Sequence, residues 1–399
     1  GFLAAGARAA IKTNGLNDIG LLMCQSLATA AAAFTTNRVC AAPVIIGRRH
    51  IADGVLRAIV VNSGNANACT GRRGLNDALR MCRVVSRQLR CPPKQVLPSS
   101  TGIIGHPLPM AKVCRGIVEA SKALGNSLEH AQAFADAILT TDTRRKSAGT
   151  TLRINGRKVL LCGICKGAGM IGPRLQTASR RVGGRQATML AYLTTDARVA
   201  APTLRRLLQP AVDGSFNSLT IDDHTSTNDT CAILASGVSD VPVESARAQR
   251  MFLAALTEVC QSLAEQVAAD GEGATKVVRI EVSRAASEHD ARSIARAIAN
   301  SPLVKCAMHG NDPNWGRIIS AAGMCEARFE PERATLTLQG IPVFRRGKPV
   351  NFDPASVSRA LQAREVVVGL NCGCGKASAG VWTCDLSEEY VSINADYHT

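Results

Sequence analysis

The stretch from Lys166 to Asp196 contains the residue types most suited to covalent chemistry. A run of glycines and other small residues precedes Thr188, and the apolar segment after it ends in Thr194, Thr195 and Asp196. Small residues allow the backbone to lie close around one exposed hydroxyl. This pattern leads to the hypothesis that Thr188 becomes the first residue of a new chain and acts as a nucleophile.

A second candidate lies in the stretch Val96 to Gly105, where a short apolar strand is followed by Ser99 to Gly102. A loop of backbone N–H groups and small hydroxyls can form an oxyanion hole, in which fixed donors stabilise developing negative charge. The alternative is a plain turn from a strand to a helix, and it is favoured when the loop is considered alone.

Common cofactor and hydrolase motifs do not fit. Gly167, Gly169 and Gly172 match the dinucleotide-binding pattern, but Pro173 and the Arg180 to Gly184 segment interrupt the helix that should follow. No Gly-x-Ser-x-Gly motif occurs in the sequence, which excludes the usual serine-hydrolase arrangement. We therefore expect no bound cofactor.

Metal binding is also disfavoured. Asp222 to Thr230 is a dense polar loop, but its single His and irregular spacing favour a structural role over a metal site. The pairs Cys162/Cys165 and Cys372/Cys374 lack a nearby pair of histidines. The odd total of 15 cysteines indicates free thiols in a reducing compartment.

The formal net charge of +16 raises the question of nucleic acid or membrane partners. The basic residues are scattered, and an aromatic content of 3% argues against base stacking, so a solvated basic surface is favoured. The most apolar stretch, Leu21 to Phe34, is too short to span a bilayer. We expect a cytoplasmic protein, or an organellar one if a leader preceded Gly1.

Hydrophobic periodicity predicts an α/β fold of mixed sheets and helices. Helices are predicted at Leu75 to Arg90, Ala111 to Leu124, Leu128 to Leu139, Thr203 to Leu208, Phe252 to Val267 and Asp290 to Ala299. Strands are predicted at Leu56 to Asn62, Arg157 to Cys162, Lys276 to Ser283, Thr335 to Gln339 and Glu365 to Leu370, and a turn at His309 to Arg317. No linker marks a domain boundary.

Several short blocks occur in order along the chain: Asn62 to Gly71, Ser100 to Gly102, Lys166 to Ile171, Ala187 to Leu190, Asp312 to Arg317, Trp382 to Leu386 and Asn394 to Tyr397. Together they resemble the bifunctional glutamate N-acetyltransferases, also called ornithine acetyltransferases, of arginine biosynthesis. Each block is modest evidence, whereas the ordered set, which extends over the whole chain, is specific.

The resemblance implies a self-cleaving ornithine-acetyltransferase-like fold. The precursor would be cut between Ala187 and Thr188 into an α chain, residues 1–187, and a β chain, residues 188–399, assembled as an α2β2 heterotetramer. Cleavage would give Thr188 a free amine, whose ordinary pKa near ~8 suits a base at neutral pH. Before cleavage that nitrogen is an amide and cannot accept a proton.

The implied reaction is ping-pong. Thr188 takes the acetyl group of N2-acetyl-L-ornithine, and L-glutamate then accepts it; some family members also use acetyl-CoA as a donor, which the sequence leaves open. The implied partners are small molecules, without nucleic acid or membrane. Two alternatives are a self-cleaving amidase or aminopeptidase, and a basic binding protein without catalysis.

The resemblance also assigns residues. Thr101 and Gly102 take the oxyanion role, and the substrate contacts fall on Thr140, Lys166, Thr188, Glu272, Asn394 and Thr399. Lys166 can pair with the substrate α-carboxylate and Glu272 with an ammonium group.

One departure from the family pattern lies just upstream of the expected cut. Residues Gln176 to Gln186 are extra relative to most family members and include several basic residues and glycines. Three explanations stay open: a harmless surface loop, an effect on cleavage, or an error in the gene model such as a retained intron.

Overall fold

The structure is a computed structural model that describes residues 1–177 and 189–396. The chain divides into two compact units. The first takes in Gly1–Asn217 and His224–Leu263, and the second takes in Ser218–Asp223 and Ala264–His398. This division concerns compact folding units, so it leaves the predicted covalent cut at Ala187–Thr188 as a prediction.

The first unit is built on one large sheet. Its described strands are β1 (Phe2–Ala7), β2 (Ile19–Thr35), β3 (Val55–Asn65), β4 (Val96–Ile103), β5 (Lys146–Ile154), β6 (Arg157–Lys166), β7 (Leu175–Thr177), β8 (Leu190–Thr195) and β9 (Thr230–Ala235). Its helices are α1 (Ala42–His50), α2 (Gly71–Leu89), α3 (Met110–Lys122), α4 (Leu128–Ile138), α5 (Ala201–Asp213) and α6 (Ala246–Ala269), the last of which continues into the second unit.

The strand order of this sheet, within the described residues, is β4-β3-β2-β9-β8-β6-β5, with β1 and β7 also paired to β2. The pairs β3/β4 and β8/β9 are parallel and the others are antiparallel. The predicted α/β fold of mixed sheets and helices is confirmed. The parallel pairs matter most, because strands that run in the same direction end at the same edge of the sheet.

Strand β2 explains the apolar stretch Leu21 to Phe34. It lies between β3 and β9, and its alanines from Ala30 to Ala33 are buried. A strand covered on both faces is apolar without alternation, which is why period-two patterning does not reveal it. Among the described residues, no helix is long and apolar enough to cross a membrane.

The second unit contains a smaller mixed sheet. Its described strands, in the order β13-β12-β11-β14-β10-β15, are β10 (Val277–Ala285), β11 (Thr335–Leu338), β12 (Ile341–Arg345), β13 (Lys348–Pro349), β14 (Glu365–Asn371) and β15 (Ala377–Cys384). Its helices are α7 (Glu288–Asn300), α8 (Pro302–His309), α9 (Trp315–Ala322), α10 (Pro354–Leu361) and α11 (Glu388–Asp396). Trp315 and Phe344 stack in its core with ring centroids 5.5 Å apart.

The predicted helices and strands all occur, with different ends, whereas one predicted loop is wrong and one predicted turn is shorter than expected. Ser99 to Gly102 is not a loop, because β3 pairs alongside and continues β4 to Ile103. The turn predicted at His309 to Arg317 ends early, because the Asn314 side chain accepts a hydrogen bond from the Arg317 N–H and caps α9. All 15 cysteines lie in the described residues as free thiols.

Candidate active site

The carboxyl end of β4 carries the two residues assigned to the oxyanion hole. Thr101 and Gly102 lie beside Ser63 and Gly64 of the parallel strand β3. Gly102 has a φ of +129°, and a Cβ atom there would lie 2.3 Å from the carbonyl carbon of Gly64. Only glycine fits this conformation and this close approach. The sheet edge is therefore shaped around backbone groups at this point.

Asn228 fixes this edge from the polar loop that precedes β9. Its buried Nδ2 donates to the carbonyl oxygens of Ser100, at 2.8 Å, and Ala66, at 2.7 Å. The Ser100 hydroxyl in turn donates to Asn62 Oδ1 at 2.6 Å. The polar loop therefore does more than satisfy its own turns, because it holds the strand that leads into Thr101.

Lys166, at the end of β6, brings its ammonium group to two threonine hydroxyls. Its Nζ lies 2.7 Å from Thr140 Oγ1 and 3.5 Å from Thr101 Oγ1. The residue is only 2% exposed. The structure thus places together three residues that the sequence resemblance had assigned separately, with Gly102 next to them along β4.

Asp142 orients this ammonium group. Its carboxylate lies 2.7 Å from Lys146 Nζ and 3.5 Å from Lys166 Nζ, and it accepts the backbone N–H of Gly167 at 2.6 Å and that of Thr140 at 3.1 Å. Burial by itself would raise the pKa of Asp142, but the two ammonium groups and the Gly167 N–H hold it well below its usual range. Asp142 is therefore an anion shared between two lysines.

The predicted nucleophile Thr188 and its neighbour Ala187 lie outside the described residues, as does Thr399. Met189 follows Thr188 in the chain and is firmly held: its N–H donates to Asp229 Oδ1, and its carbonyl oxygen accepts the Thr230 N–H at 3.0 Å. In the next position, Leu190 pairs with Lys166 in the antiparallel ladder between β8 and β6. The chain from Met189 onward therefore joins the sheet beside Lys166.

Two of the predicted substrate residues belong to the second unit. Asn394, on α11, donates from Nδ2 to Glu272 Oε2 at 2.9 Å and to the Tyr390 carbonyl oxygen at 2.9 Å. Glu272 is half-buried and Asn394 is exposed. Their assigned substrate contacts stay predictions from the resemblance.

Sequence reasoning gave no role at the site to Asp142, and it placed Asn228 and Asp229 only in a polar loop with a structural role. Single acids and amides in irregular segments carry no periodic signal, and only the sheet brings them to Lys166, Ser100 and Met189.

Among the described residues, no cluster of three or more His, Cys, Asp or Glu side chains could hold a metal ion. The glycines at 167, 169 and 172 lead into β7 rather than a helix. The first two residues of the extra segment, Gln176 and Thr177, belong to β7, and its remaining residues lie outside the described ones.

The chain matches known proteins over its whole length. The profile of the ArgJ family matches residues 3–399. A protein of Symbiobacterium thermophilum named arginine biosynthesis bifunctional protein ArgJ is 44% identical over 403 residues, which cover 100% of this chain and 97% of that protein. The Dehalococcoides mccartyi protein of the same name is 43% identical, with 100% of this chain and 96% of that protein covered. A crystal structure of the Bacillus halodurans protein is 35% identical with a TM-score of 0.50, and the match covers 51% of this chain and 97% of that one. The chain belongs to the ArgJ family, as its ordered blocks predict.

Proposed function

We propose that the protein transfers the acetyl group of N2-acetyl-L-ornithine to L-glutamate, after cutting itself between Ala187 and Thr188. The observation that carries the proposal is the placement of the Lys166 ammonium beside Thr101 and Thr140, opposite the strand that Thr188 precedes. Family membership and the names of the relatives, arginine biosynthesis bifunctional proteins, support it.

Self-cleavage prepares the nucleophile. The Thr188 hydroxyl attacks the carbonyl carbon of Ala187, and hydrolysis of the resulting ester leaves Thr188 with a free amine. A threonine hydroxyl is a weak nucleophile that needs an adjacent base, and a terminal amine in the same residue can accept its proton. The uncut chain has no such base at this position, because the nitrogen is an amide.

Acetyl transfer then runs in two half-reactions. The Thr188 hydroxyl attacks the acetyl carbonyl, and donors at Thr101 and Gly102 stabilise the oxyanion; one such donor contributes on the order of 10²–10³-fold in rate. The Thr188 amine takes the hydroxyl proton and returns it to the departing amine of ornithine. The amine of glutamate attacks the acetyl-threonine ester in the second half-reaction.

Among the predicted substrate contacts in the first unit, the geometry best supports binding of a carboxylate by Lys166. Both donor and acceptor are α-amino-acid derivatives with a carboxylate, and a buried ammonium beside two hydroxyls suits that anion. Asp142 keeps this ammonium in place and also pairs with the Lys146 ammonium. The roles of Glu272, Asn394 and Thr399, the α2β2 assembly and the use of acetyl-CoA belong to the proposal as implications of the family resemblance.

The test is an acetyl-transfer assay with matched variants. We expect the wild type to produce ornithine and N-acetylglutamate from N2-acetylornithine and glutamate, and Thr188→Ala to be uncut and inactive. Thr188→Ser, which keeps a hydroxyl, is the control and should retain partial cleavage and activity. Full activity in Thr188→Ala would contradict the proposal.

Leaving out glutamate separates a transferase from a hydrolase. A transferase needs the acceptor for turnover, whereas an amidase releases ornithine steadily with water alone. Repeating the complete assay with acetyl-CoA in place of acetylornithine decides whether a second donor is used.

A further inference from the structure

Asp229 is a buried carboxyl group that the acetyl-transfer mechanism leaves without a function. It closes the polar loop immediately before β9 and is 0% exposed. Its Oδ1 accepts the backbone N–H of Met189, whereas its Oδ2 is buried without a hydrogen-bond partner among the described residues. A buried polar atom without a hydrogen bond loses its hydration and gains nothing in return, so it calls for an explanation.

The position of Asp229 connects it to the expected cut. Strands β8 and β9 are parallel, with Leu190 beside Thr230, so the preceding residues Met189 and Asp229 are neighbours as well. The nitrogen that Asp229 holds belongs to the peptide bond between Thr188 and Met189. One peptide bond joins that nitrogen to Thr188, so the carboxyl group holds the chain one residue after the one whose hydroxyl and nitrogen must react.

The environment of Asp229 sets its protonation. Burial raises the pKa of this carboxyl well above its ordinary value, and the opposing effects of the Met189 N–H and the Lys166 ammonium do not cancel that rise. A raised pKa favours the protonated form of a carboxyl group, which can donate a proton, as the acid members of catalytic carboxyl pairs do.

We propose that Asp229 carries the proton in the self-cleavage of the chain, moving it from the Thr188 hydroxyl to the Thr188 nitrogen. This inference rests on the proposed function, because it assumes that Thr188 attacks Ala187. Its Oδ1 holds the Met189 N–H, one residue after Thr188 in the chain, and its Oδ2 has no hydrogen-bond partner among the described residues.

The step balances without any further reactant. The Thr188 oxygen forms a bond to the carbonyl carbon of Ala187, and the bond from that carbon to the Thr188 nitrogen breaks. Asp229 gives its proton to the departing nitrogen and takes the proton of the Thr188 hydroxyl, so it ends the step neutral, as it began. Water then hydrolyses the ester, which restores the Thr188 hydroxyl and releases the Ala187 carboxyl group.

The test compares Asp229→Asn with the wild type. Asparagine keeps a carbonyl oxygen for the Met189 N–H but has no proton to transfer, so a role in positioning alone would survive the change. We expect a folded, uncut chain, with cleavage slowed on the order of 10²-fold or more, the usual contribution of a positioned acid or base. Intact mass and circular dichroism after purification measure both properties.

Two controls make the result decisive. Neutral hydroxylamine cleaves an ester much faster than a peptide bond, so a chain that it does not cut between Ala187 and Thr188 has stopped before the ester forms, where Asp229 acts. If Asp229→Asn does not fold, Asp229→Ser, which is smaller and also lacks an acid, replaces it in the same comparison. Cleavage of either folded variant at the wild-type rate would overturn the inference while leaving the proposed function intact. A wild type that is never cut would overturn both.

Discussion

Two aspartates of the first unit have buried carboxyl groups, yet their pKa values are shifted in opposite directions. Asp142 touches two lysines and two backbone N–H groups, and these hold its pKa low. Asp229 touches one backbone N–H, and burial raises its pKa. The comparison teaches that burial alone does not set the charge of an acid, because its partners decide whether it stays an anion that positions a cation or becomes a neutral donor.

The largest expected difference between the two is in stability. In the uncut Thr188→Ala background, Asp142→Asn should lower the free energy of unfolding by about 3–5 kcal/mol, because it removes a carboxylate that two buried ammonium groups share. Asp229→Asn keeps the shape of the side chain and an oxygen that accepts the Met189 N–H, so it should cost less than about 1 kcal/mol. Urea unfolding of both variants makes the measurement. Equal losses would remove the distinction between the two sites.

Lys166→Met tests the Asp142 region through its cation. Asp142 keeps Lys146 as a partner, so the fold should persist, whereas the substrate carboxylate loses its counter-ion. A charged hydrogen bond contributes about 1.5–3 kcal/mol, so kcat/KM should fall roughly tenfold to a hundredfold. Steady-state kinetics with acetylornithine and glutamate provides the measurement. An unchanged KM for both substrates would exclude Lys166 from carboxylate binding.

The pH dependence of stability should have opposite signs at the two aspartates. The pKa of Asp142 is lowered by folding, so its contribution is present above about pH 4 and is lost as the pH falls below that value. The pKa of Asp229 is raised, so the folded state binds an extra proton and its stability falls as the pH rises above about 4. Replacing Asp229 by Asn in the Thr188→Ala background should therefore remove a decline of at most about 1.4 kcal/mol per pH unit. A decline that stays unchanged would show that Asp229 is already ionised.

The smallest effect on stability is expected at an exposed aspartate. Its comparison with Asp142 measures how much burial strengthens an ion pair. Asp53 pairs with Lys94 at 3.0 Å, but their side chains are 61% and 65% exposed. Asp53→Asn should change the free energy of unfolding by about 1 kcal/mol or less, because solvent screens exposed ion pairs. A loss as large as that of Asp142→Asn would mean that burial does not explain the difference.

The sequence predicted much of the fold because its helices and half-buried strands have clear periods. The apolar positions between Leu75 and Arg90 correspond to α2, and those between Phe252 and Val267 to α6. Strand β2, buried on both faces, has no alternation to detect. The extension of β4 through Gly102 depends on pairing with β3, a partner distant in sequence.

The candidate site was predictable only in part, because its residues are also brought together by partners that are distant in sequence. The family resemblance supplied Thr101, Thr140 and Lys166, and the structure places these three side chains together. Asp142 and Asp229 acquire their roles from neighbours that the sheet brings close to them. Those neighbours cannot be identified from the local sequence.

The acetyl-enzyme itself provides the most direct test of the central claim, that Thr188 is freed and then carries the acetyl group. The purified protein is incubated with N2-acetyl-L-ornithine in the absence of glutamate, quenched in acid and digested, and its peptides are analysed by mass spectrometry. We predict a peptide that begins at Thr188 and carries one acetyl group on that residue, which disappears when glutamate is added before the quench. A peptide that still joins Ala187 to Thr188, or a free Thr188 that never becomes acetylated, would contradict the account.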